Sequence, residues 1–123
     1  MSRPAITRIY ETVVYGSDVA AMKAFYADVL DLRLVDGPDE LSAAFRLPDG
    51  GVLLVFDPSR SGEPGRAVPS HGAYGPGHVA FTVPSGDLAR WRARLGELGV
   101  AVEREVEWGG GRCSLYVRDP AGN

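Results

Sequence analysis

The chain contains two copies of one unit, each made of a short β-rich segment, a helix-cap residue and an amphipathic helix. Glu11 opens the first copy and His78 the second, and the cap residues Asp18 and Ser85 follow seven positions later in each case. Such a repeat constrains the fold more than local propensity does, because each unit must bury its apolar face against its neighbour. It also places an ionisable side chain at equivalent points of both halves, so we expect a site between them.

Hydrophobic periodicity predicts the elements of both halves. The first half is predicted to hold a strand, a helix capped by Asp18 and three further strands, at residues 9–15, 18–30, 32–35, 41–47 and 51–57. The second is predicted to hold a strand, a helix capped by Ser85 and ended by Gly99, and two strands, at residues 78–83, 85–98, 100–106 and 112–118. The long connection 58–77, rich in Pro, Gly and Ser, is predicted to lack regular structure and to close over a pocket.

Composition limits the class of protein. A length of 123 residues with 45% hydrophobic residues suits one compact unit with a core. A net charge of −3 without a run of basic residues argues against a nucleic-acid partner. No apolar run is long enough for a bilayer and no signal peptide is recognisable, so we predict a cytoplasmic protein. All basic residues but Lys23 are Arg, which we interpret as a sign of a GC-rich bacterial source.

Several segments then resemble a known superfamily. They are, in order, Phe25-Tyr26, Val29 to Leu32, Gly77 to Phe81, and Ser114 to Asn123. On these motifs the chain resembles the vicinal oxygen chelate superfamily, the glyoxalase/bleomycin-resistance/dioxygenase fold. The resemblance implies an α+β fold in which paired βαβββ modules form a curled mixed sheet around a cavity. We place the modules at 1–57 and 78–123, with a linker or lid at 58–77 and with the final strand of the second module absent from the chain.

The resemblance also implies metal ligands on the first and fourth strands of the first module and on the first and last strands of the second. Carried over, the two first-strand ligands are Glu11, in place of the usual His, and His78. The predicted fourth strand, Val52 to Phe56, offers no ligand, and Asp57 stands at its edge. This departure disfavours a four-ligand glyoxalase I site and leaves a three-residue site, as in fosfomycin-resistance transferases and extradiol dioxygenases. The third ligand, a Glu, is expected three positions beyond the turn that ends at Asn123.

Imidazole and carboxylate ligands together suit a divalent metal such as Fe, Mn, Ni or Zn, without choosing among them. Each residue has an alternative interpretation. Glu11 either binds metal or faces solvent on an edge strand or pairs with an arginine, because a buried, unpaired carboxylate is costly. His78 is either a ligand or a core histidine that bonds to backbone.

Other side chains are candidates for binding substrate. His71 precedes His78 and is either a proton-transfer group at the cavity mouth or an exposed loop histidine. Ser114 and Tyr116 alternate on one face of their strand, which lies in the cavity by resemblance or else faces solvent. Three more are either rim residues or ordinary surface and packing residues: Arg46, Trp108 and Arg112. Cys113 is the only cysteine and points to the opposite face, so we interpret it as a core residue and expect no disulfide or cysteine-based zinc site.

Two functions remain open. The first is a metal-dependent enzyme of the glyoxalase/dioxygenase type that binds a small substrate through vicinal oxygens and performs isomerisation or lyase chemistry, thiol transfer or oxygenation. The second is a metal-free protein that sequesters a drug or metabolite, as the bleomycin-resistance branch does. The pair of Glu11 and His78 favours the enzyme, and the ligand-free fourth strand keeps the second open. An unpaired sheet edge further predicts a symmetric homodimer.

Overall fold

The computed structural model describes residues 2–35 and 42–123. Its first half contains strand β1 (Glu11–Tyr15), helix α1 (Val19–Ala24), a π-helical turn (Phe25–Val29), and strands β2 (Arg33–Val35), β3 (Ser42–Arg46) and β4 (Val52–Phe56). The predicted stop signal at 36–38 and the predicted strand start at Leu41 lie outside the described residues. The order of elements is the predicted βαβββ, and each strand is shorter than predicted by one or two residues at one end or both.

The four strands form one mixed sheet in the order β1-β4-β3-β2. β1 runs parallel to β4, while β4 with β3 and β3 with β2 are antiparallel pairs. The β3–β4 hairpin turns as predicted: Gly50 takes a positive φ of 89° and the Asp49 carboxylate accepts from the Gly51 amide at 2.7 Å. β1 is therefore an edge strand of the described sheet, joined to it only through β4.

One face of this sheet carries the core. Helix α1 and the π turn cover it, and the buried residues are Val14, Met22, Phe25, Tyr26, Ala43, Phe45, Leu53 and Val55. Val55 lies directly opposite both Val14 and Ala43, and Leu53 lies opposite Phe45; along each strand these residues alternate with residues of the other face. We call that other face, which points away from α1, the open face.

The first helix departs from its prediction in its second half. Asp18 caps it as predicted, with its carboxylate accepting from the Ala21 amide at 3.0 Å. After Ala24 the chain widens into a π turn, in which the Leu30 amide donates to the Phe25 carbonyl at 3.2 Å. Phe25 and Tyr26, both in this π turn, are buried, and their rings meet edge to face at a centroid distance of 5.2 Å.

The second half contains a 3-10 turn (Ser85–Asp87), helix α3 (Leu88–Glu97) and an antiparallel pair, β5 (Arg104–Gly109) and β6 (Arg112–Tyr116). The prediction that Ser85 caps the helix is wrong, because Ser85 lies in the 3-10 turn and its side chain makes no capping bond. Gly99 ends the helix as predicted, with a φ of 71°. The strand predicted from Val100 begins only at Arg104, since Val100 turns inward to contact the core cluster.

Residues 78–83 are not assigned as a strand, contrary to prediction. In the first half the equivalent strand, β1, pairs with β4, and within the described residues the second half has no counterpart of β4 for 78–83 to pair with. The segment still alternates as a strand does: Val79 and Phe81 pack against the core cluster, while His78 is exposed.

The connection between the halves is also more ordered than predicted. It begins with a short helix, α2 (Pro58–Ser61), whose N-cap Asp57 accepts from the Ser59 amide at 2.9 Å. Asp57 followed by Pro58 is a helix-start signal in the sequence. The abundance of Pro and Gly in the rest of the segment favoured a prediction without regular structure instead. Asp57, which stands at the edge of the predicted fourth strand, is thus used as a helix cap.

A buried carboxylate fastens the two halves together. Asp119 is 6% exposed and accepts from the Tyr26 hydroxyl at 2.7 Å, across 93 residues of chain. Its oxygens also accept from the Ala121 and Asn123 amides and from the Asn123 side chain, at 2.9, 3.0 and 2.9 Å. Burial, and after it the bond to Asp119, raise the pKa of Tyr26 well above its usual value, so its hydroxyl stays protonated as the donor.

Asn123 connects this joint to the end of β1 and to the start of the segment 78–83. Its side-chain amide donates to the Tyr15 carbonyl at 3.0 Å, and its side-chain oxygen accepts from the Gly77 amide at 2.8 Å. The end of β1 and the start of the 78–83 segment are thereby held at one residue. Gly16 allows this approach, because a Cβ there would lie 2.8 Å from the Met22 Cγ and 3.0 Å from the Ala121 Cβ.

Candidate functional site

Strand register arranges the open face into three rows that run across the sheet. In the order β1, β4, β3, β2, the charged row carries both signs of charge and consists of Glu11, Val52, Arg46 and Arg33. The apolar row consists of Val13, Leu54, Ala44 and Val35. The third row, aromatic and hydroxylic, consists of Tyr15, Phe56 and Ser42. Facing residues of neighbouring strands lie about 5 Å apart. The open face therefore has a charged end and an aromatic end separated by an apolar strip.

Glu11 lies at the β1 end of the charged row. It is exposed, and no hydrogen bond or ion pair joins it to any residue in the described ranges. The alternative in which Glu11 pairs with an arginine is therefore wrong for this part of the chain. Its carboxylate stands on an edge strand with its lone pairs available to a ligand.

His78 is not a core histidine. It is exposed, and its ring contacts that of Tyr116, with centroids 6.4 Å apart and planes inclined by 33°. Neither ring nitrogen has a hydrogen-bond partner among the residues that the structure describes. Like Glu11, it presents a donor atom that the fold itself does not use.

The hydroxyl-bearing residues of β6 join His78 on one side of the second half. Ser114 lies opposite Val106 in the β5–β6 register and Tyr116 opposite Arg104, so these four residues share a face. The Trp108 indole N–H donates to the Ser114 hydroxyl at 2.9 Å. The structure thus brings His78 beside Tyr116, and Trp108 beside Ser114, on the face that Ser114 and Tyr116 share as their alternation predicts.

Cys113 points to the opposite side of β6, where helix α3 lies. Its sulfur is 3.5 Å from a Glu105 carboxylate oxygen, and Glu105 is bound by Arg92 of α3. Desolvation raises the pKa of the Cys113 thiol, and the hydrogen bond to Glu105 raises it further. Cys113 is half-buried and lies outside the core cluster, so its interpretation as a core residue is wrong, while the raised pKa disfavours an activated thiolate.

His71 is held over the aromatic end of the open face. The Tyr15 hydroxyl lies 2.6 Å from its Nδ1, and the Phe56 ring meets it edge to face at a centroid distance of 4.9 Å. Its backbone exchanges two bonds with Ser61: the Ser61 hydroxyl donates to the His71 carbonyl at 2.6 Å and the His71 amide to the Ser61 carbonyl at 3.0 Å. The interpretation of His71 as a freely exposed loop histidine is wrong.

Sequence reasoning missed Tyr15 and Phe56 as members of this group. The signal for Tyr15 was its place on the same strand face as Glu11. Phe56 gave no such signal, because in an apolar run a residue of the open face cannot be told from a core residue before the register is known.

Loss of the Tyr15 hydroxyl is expected to loosen the connection between the halves at His71. In Tyr15→Phe the histidine loses its only side-chain hydrogen bond in the described structure, worth about 1 kcal/mol, so the His71 amide should exchange with solvent roughly fivefold faster. Hydrogen-exchange mass spectrometry of residues 58–77 measures this. Tyr74→Phe, in an exposed tyrosine of the same segment, is the matched control and should exchange like the wild type.

The three predicted rim residues do not lie together: one is in the first half and two are in the second. Arg46 lies in the charged row with Glu11, and its Nη1 donates to the Gly50 carbonyl at 3.0 Å. Trp108 and Arg112 belong to the second half, Trp108 bound to Ser114 and Arg112 exposed at the start of β6. A depression of about 500 Å³ elsewhere, at the junction of the halves, is lined by none of the predicted site residues.

The structure does not assemble a complete metal centre. Within residues 2–35 and 42–123, no three His, Cys, Asp or Glu side chains are grouped closely enough to hold a metal ion. By donor chemistry alone Glu11 and His78 suit a divalent metal, because one supplies a carboxylate and the other an imidazole and neither has another polar partner in those ranges. No helix within those ranges has the length and hydrophobicity that a bilayer crossing requires.

Comparison with known proteins places the chain in a family. Residues 8–123 match the model of the Glyoxalase/Bleomycin resistance protein/Dioxygenase superfamily, and the chain belongs to that superfamily. A solved structure described as lactoylglutathione lyase from Agrobacterium tumefaciens is 35% identical, with a TM-score of 0.89, over 98% of this chain and 91% of that one. The α+β fold inferred from sequence is confirmed.

Two curated relatives carry different activities in their names. The metallothiol transferase FosB of Bacillus licheniformis is 32% identical over 109 residues, which is 87% of this chain and 65% of FosB. MhqE of Bacillus subtilis, named as a ring-cleaving dioxygenase, is 29% identical over 109 residues, 82% of this chain and 35% of MhqE. The chain thus spans about two thirds of one curated relative and about a third of the other.

Proposed function

We propose that this protein is a metal-dependent enzyme that acts on a small molecule through adjacent oxygen atoms of that molecule. One observation carries the proposal: Glu11 and His78 hold equivalent positions in the two halves, both are exposed, and neither has a polar partner among the described residues. A fold that leaves a carboxylate and an imidazole unused at matched places is well suited to share them with a cation.

The relatives support the class of function without choosing the reaction. A lyase, a thiol transferase and a dioxygenase appear among their names, and the name metallothiol transferase includes a metal. Isomerase or lyase chemistry, thiol transfer and oxygenation therefore remain three forms of the proposal. The metal, Fe, Mn, Ni or Zn, and a cytoplasmic location likewise stay predictions.

The residues on the open face of the first sheet and those on the Ser114 and Tyr116 face of the second half have distinct proposed roles. Glu11 and His78 hold the metal, together with a ligand from outside the described residues. The bound metal supplies a Lewis acid that polarises substrate oxygens. Because Trp108 already donates to the Ser114 hydroxyl, that hydroxyl is oriented to donate onward to a substrate oxygen, and Tyr116 offers a second hydroxyl on the same face. The Tyr15 and His71 pair holds a proton between an oxygen and a nitrogen at the aromatic end of the open face.

Metal analysis combined with activity assays tests the proposal. Protein purified without chelator, and reconstituted separately with each of the four metals, is expected to bind one ion per chain. It is then assayed for hemithioacetal isomerisation, thiol addition to an epoxide and catechol ring cleavage. At least one activity should appear with metal and disappear when a chelator removes it. Protein that binds no metal after reconstitution would contradict the proposal.

A metal-free binding protein is the second candidate. It is favoured by β4, whose residues from Val52 to Phe56 include no metal ligand, and by the lack of a three-ligand cluster in the described ranges. The two candidates differ in one measurable property, because a sequestering protein would bind its small molecule equally well with and without chelator.

We further propose a homodimer. β1 is an edge strand of the described sheet, and the residues before it expose large apolar side chains, with Ile6 97% and Ile9 77% accessible. Exposed strand edges and contiguous apolar residues are typical of surfaces that a second copy covers. Light scattering at micromolar concentration should give twice the mass of one chain, while Ile6→Ser/Ile9→Ser should shift the mass toward that of a monomer. A monomeric wild type contradicts the proposal.

A further inference from the structure

The charged row of the open face contains an electrostatic conflict. Arg46 and Arg33 are directly opposite each other in the β3–β2 register and therefore share a face. Like charges at directly opposite positions destabilise a strand pair. Neither guanidinium forms an ion pair with any residue of the described ranges, and Glu11 in the same row is two strands from Arg46, about 10 Å away.

A third guanidinium lies near the same end of the sheet. Arg46 Nη1 donates to the Gly50 carbonyl, and a Cβ at Gly50 would lie 3.5 Å from Arg8 Nη2. The nearby Asp49 carboxylate accepts from the Gly51 amide and forms no ion pair with a described residue. Among the residues that the structure describes, positive charge therefore outweighs negative charge around this hairpin, although the whole chain has a net charge of −3.

From this arrangement we propose that the open face binds a small organic oxyanion, a carboxylate, phosphonate or phosphate, at Arg33 and Arg46. Guanidinium groups bind such anions through paired, charge-assisted hydrogen bonds. An anion between the two arginines also removes their repulsion. The inference rests on the proposed function and deepens it by naming the substrate class.

The apolar side chains beside the arginines define the rest of the ligand. Val52 separates Arg46 from Glu11 in the charged row, and Leu54 follows it in the apolar strip. Val52 is buried, with 9% of its surface exposed, and Leu54 is half-buried, so a ligand whose anionic group lies on the arginines has its body over Leu54. It then reaches Glu11 after about 10 Å, the span of two strand spacings. The substrate class is thus an anion carrying an apolar body of roughly the size of one ring.

Binding of three small probes tests this inference without metal. Chelator-treated, desalted protein in low-salt buffer is titrated calorimetrically with phenylphosphonate, with benzyl alcohol as the neutral probe, and with inorganic phosphate. We expect phenylphosphonate to bind at least tenfold more tightly than either other probe, since only it has both an anion and an apolar body. Equal affinity for benzyl alcohol would overturn the anionic part, and equal affinity for phosphate the apolar part.

Variants assign the binding to the row. Arg33→Gln and Arg46→Gln should each weaken phenylphosphonate binding about tenfold, and Arg46→Lys should weaken it less because the charge remains. Arg90→Gln, in an exposed arginine of α3, is the matched control and should bind as the wild type does. Arg33 is exposed, so its variant should fold, and wild-type affinity in Arg33→Gln overturns the inference.

Failure here is distinguishable from failure of the proposed function. Glu11→Ala removes the proposed metal ligand and should not weaken phenylphosphonate binding, since it removes a negative charge from the row. A protein that binds metal and fails to bind the anion contradicts only the substrate class. A protein that binds the anion and no metal contradicts only the enzyme.

Discussion

Replacing Glu11 or His78 by alanine is expected to lower the affinity for a divalent metal at least about a hundredfold, or roughly 3 kcal/mol in binding free energy. Each variant removes one of the two proposed ligands, and the remaining groups should not complete the metal's coordination. Competition with a chromophoric chelator measures the affinity, and elemental analysis gives the bound metal per chain. Any metal-dependent activity should fall with the metal content.

Matched controls separate a ligand effect from a general loss of charge or imidazole. His71→Ala removes the chain's other histidine, which the fold holds against Tyr15 instead of exposing it as a ligand. Glu97→Ala removes an exposed carboxylate at the end of α3. Both controls should bind metal like the wild type. Wild-type affinity in Glu11→Ala or His78→Ala would refute the assignment of that residue, and a loss confined to the His71 variant would move the site to the aromatic end of the open face.

Truncating Asp119 should destabilise the protein strongly, because one buried carboxylate serves four donors. Asp119→Ala leaves the Tyr26 hydroxyl, the Ala121 and Asn123 amides and the Asn123 side chain without their shared acceptor. Unsatisfied buried donors cost about 1–3 kcal/mol each. Because some of these donors regain water at this partly open turn, we expect the free energy of unfolding to fall by about 3 kcal/mol in all. Urea denaturation followed by fluorescence measures it.

A double-mutant cycle isolates the bond between the halves. Tyr26→Phe keeps the ring in the core and removes only the donor, so it should cost about 1.5 kcal/mol. In the Asp119→Ala background the same change should cost much less, because the acceptor is already gone. Asp87→Ala, which loses an exposed pair with Arg90, is the control and should change stability by less than about 0.5 kcal/mol. Strict additivity of the Tyr26 and Asp119 changes would show that the bond does not couple the halves.

The repeated unit made most of this fold predictable. Asp18 begins one helix because its side chain accepts a hydrogen bond from the first turn, and Gly99 ends another because glycine tolerates a positive φ. Both effects act within one turn of the chain. Local patterns failed where a distant partner decides the outcome. The segment 78–83 alternates as a strand does, yet it is not one because a strand needs a neighbour.

The candidate site was predictable only in part, for the same reason. The repeat singled out Glu11 and His78, and alternation put Ser114 and Tyr116 on one face. The rows across the open face depend on register between strands, which a single chain does not display. Arg33 was therefore not predicted as a site residue. Asp119 was recognisable as part of a turn motif, but the sequence does not indicate that its carboxylate accepts a hydrogen bond from the Tyr26 hydroxyl.

The Asp119 joint has a consequence for how the protein folds during synthesis. All strands of the first sheet have been made once residue 56 is polymerised, yet the Tyr26 hydroxyl must wait for Asp119 and the Tyr15 carbonyl for Asn123, across 93 and 108 residues. Closing loops of that length is slow compared with forming local contacts. A nascent first half therefore passes through a stage in which its core lacks the second-half side chains that pack against it, Val79, Phe81, Val100 and Val117, and chaperones or a second nascent chain have access to that surface.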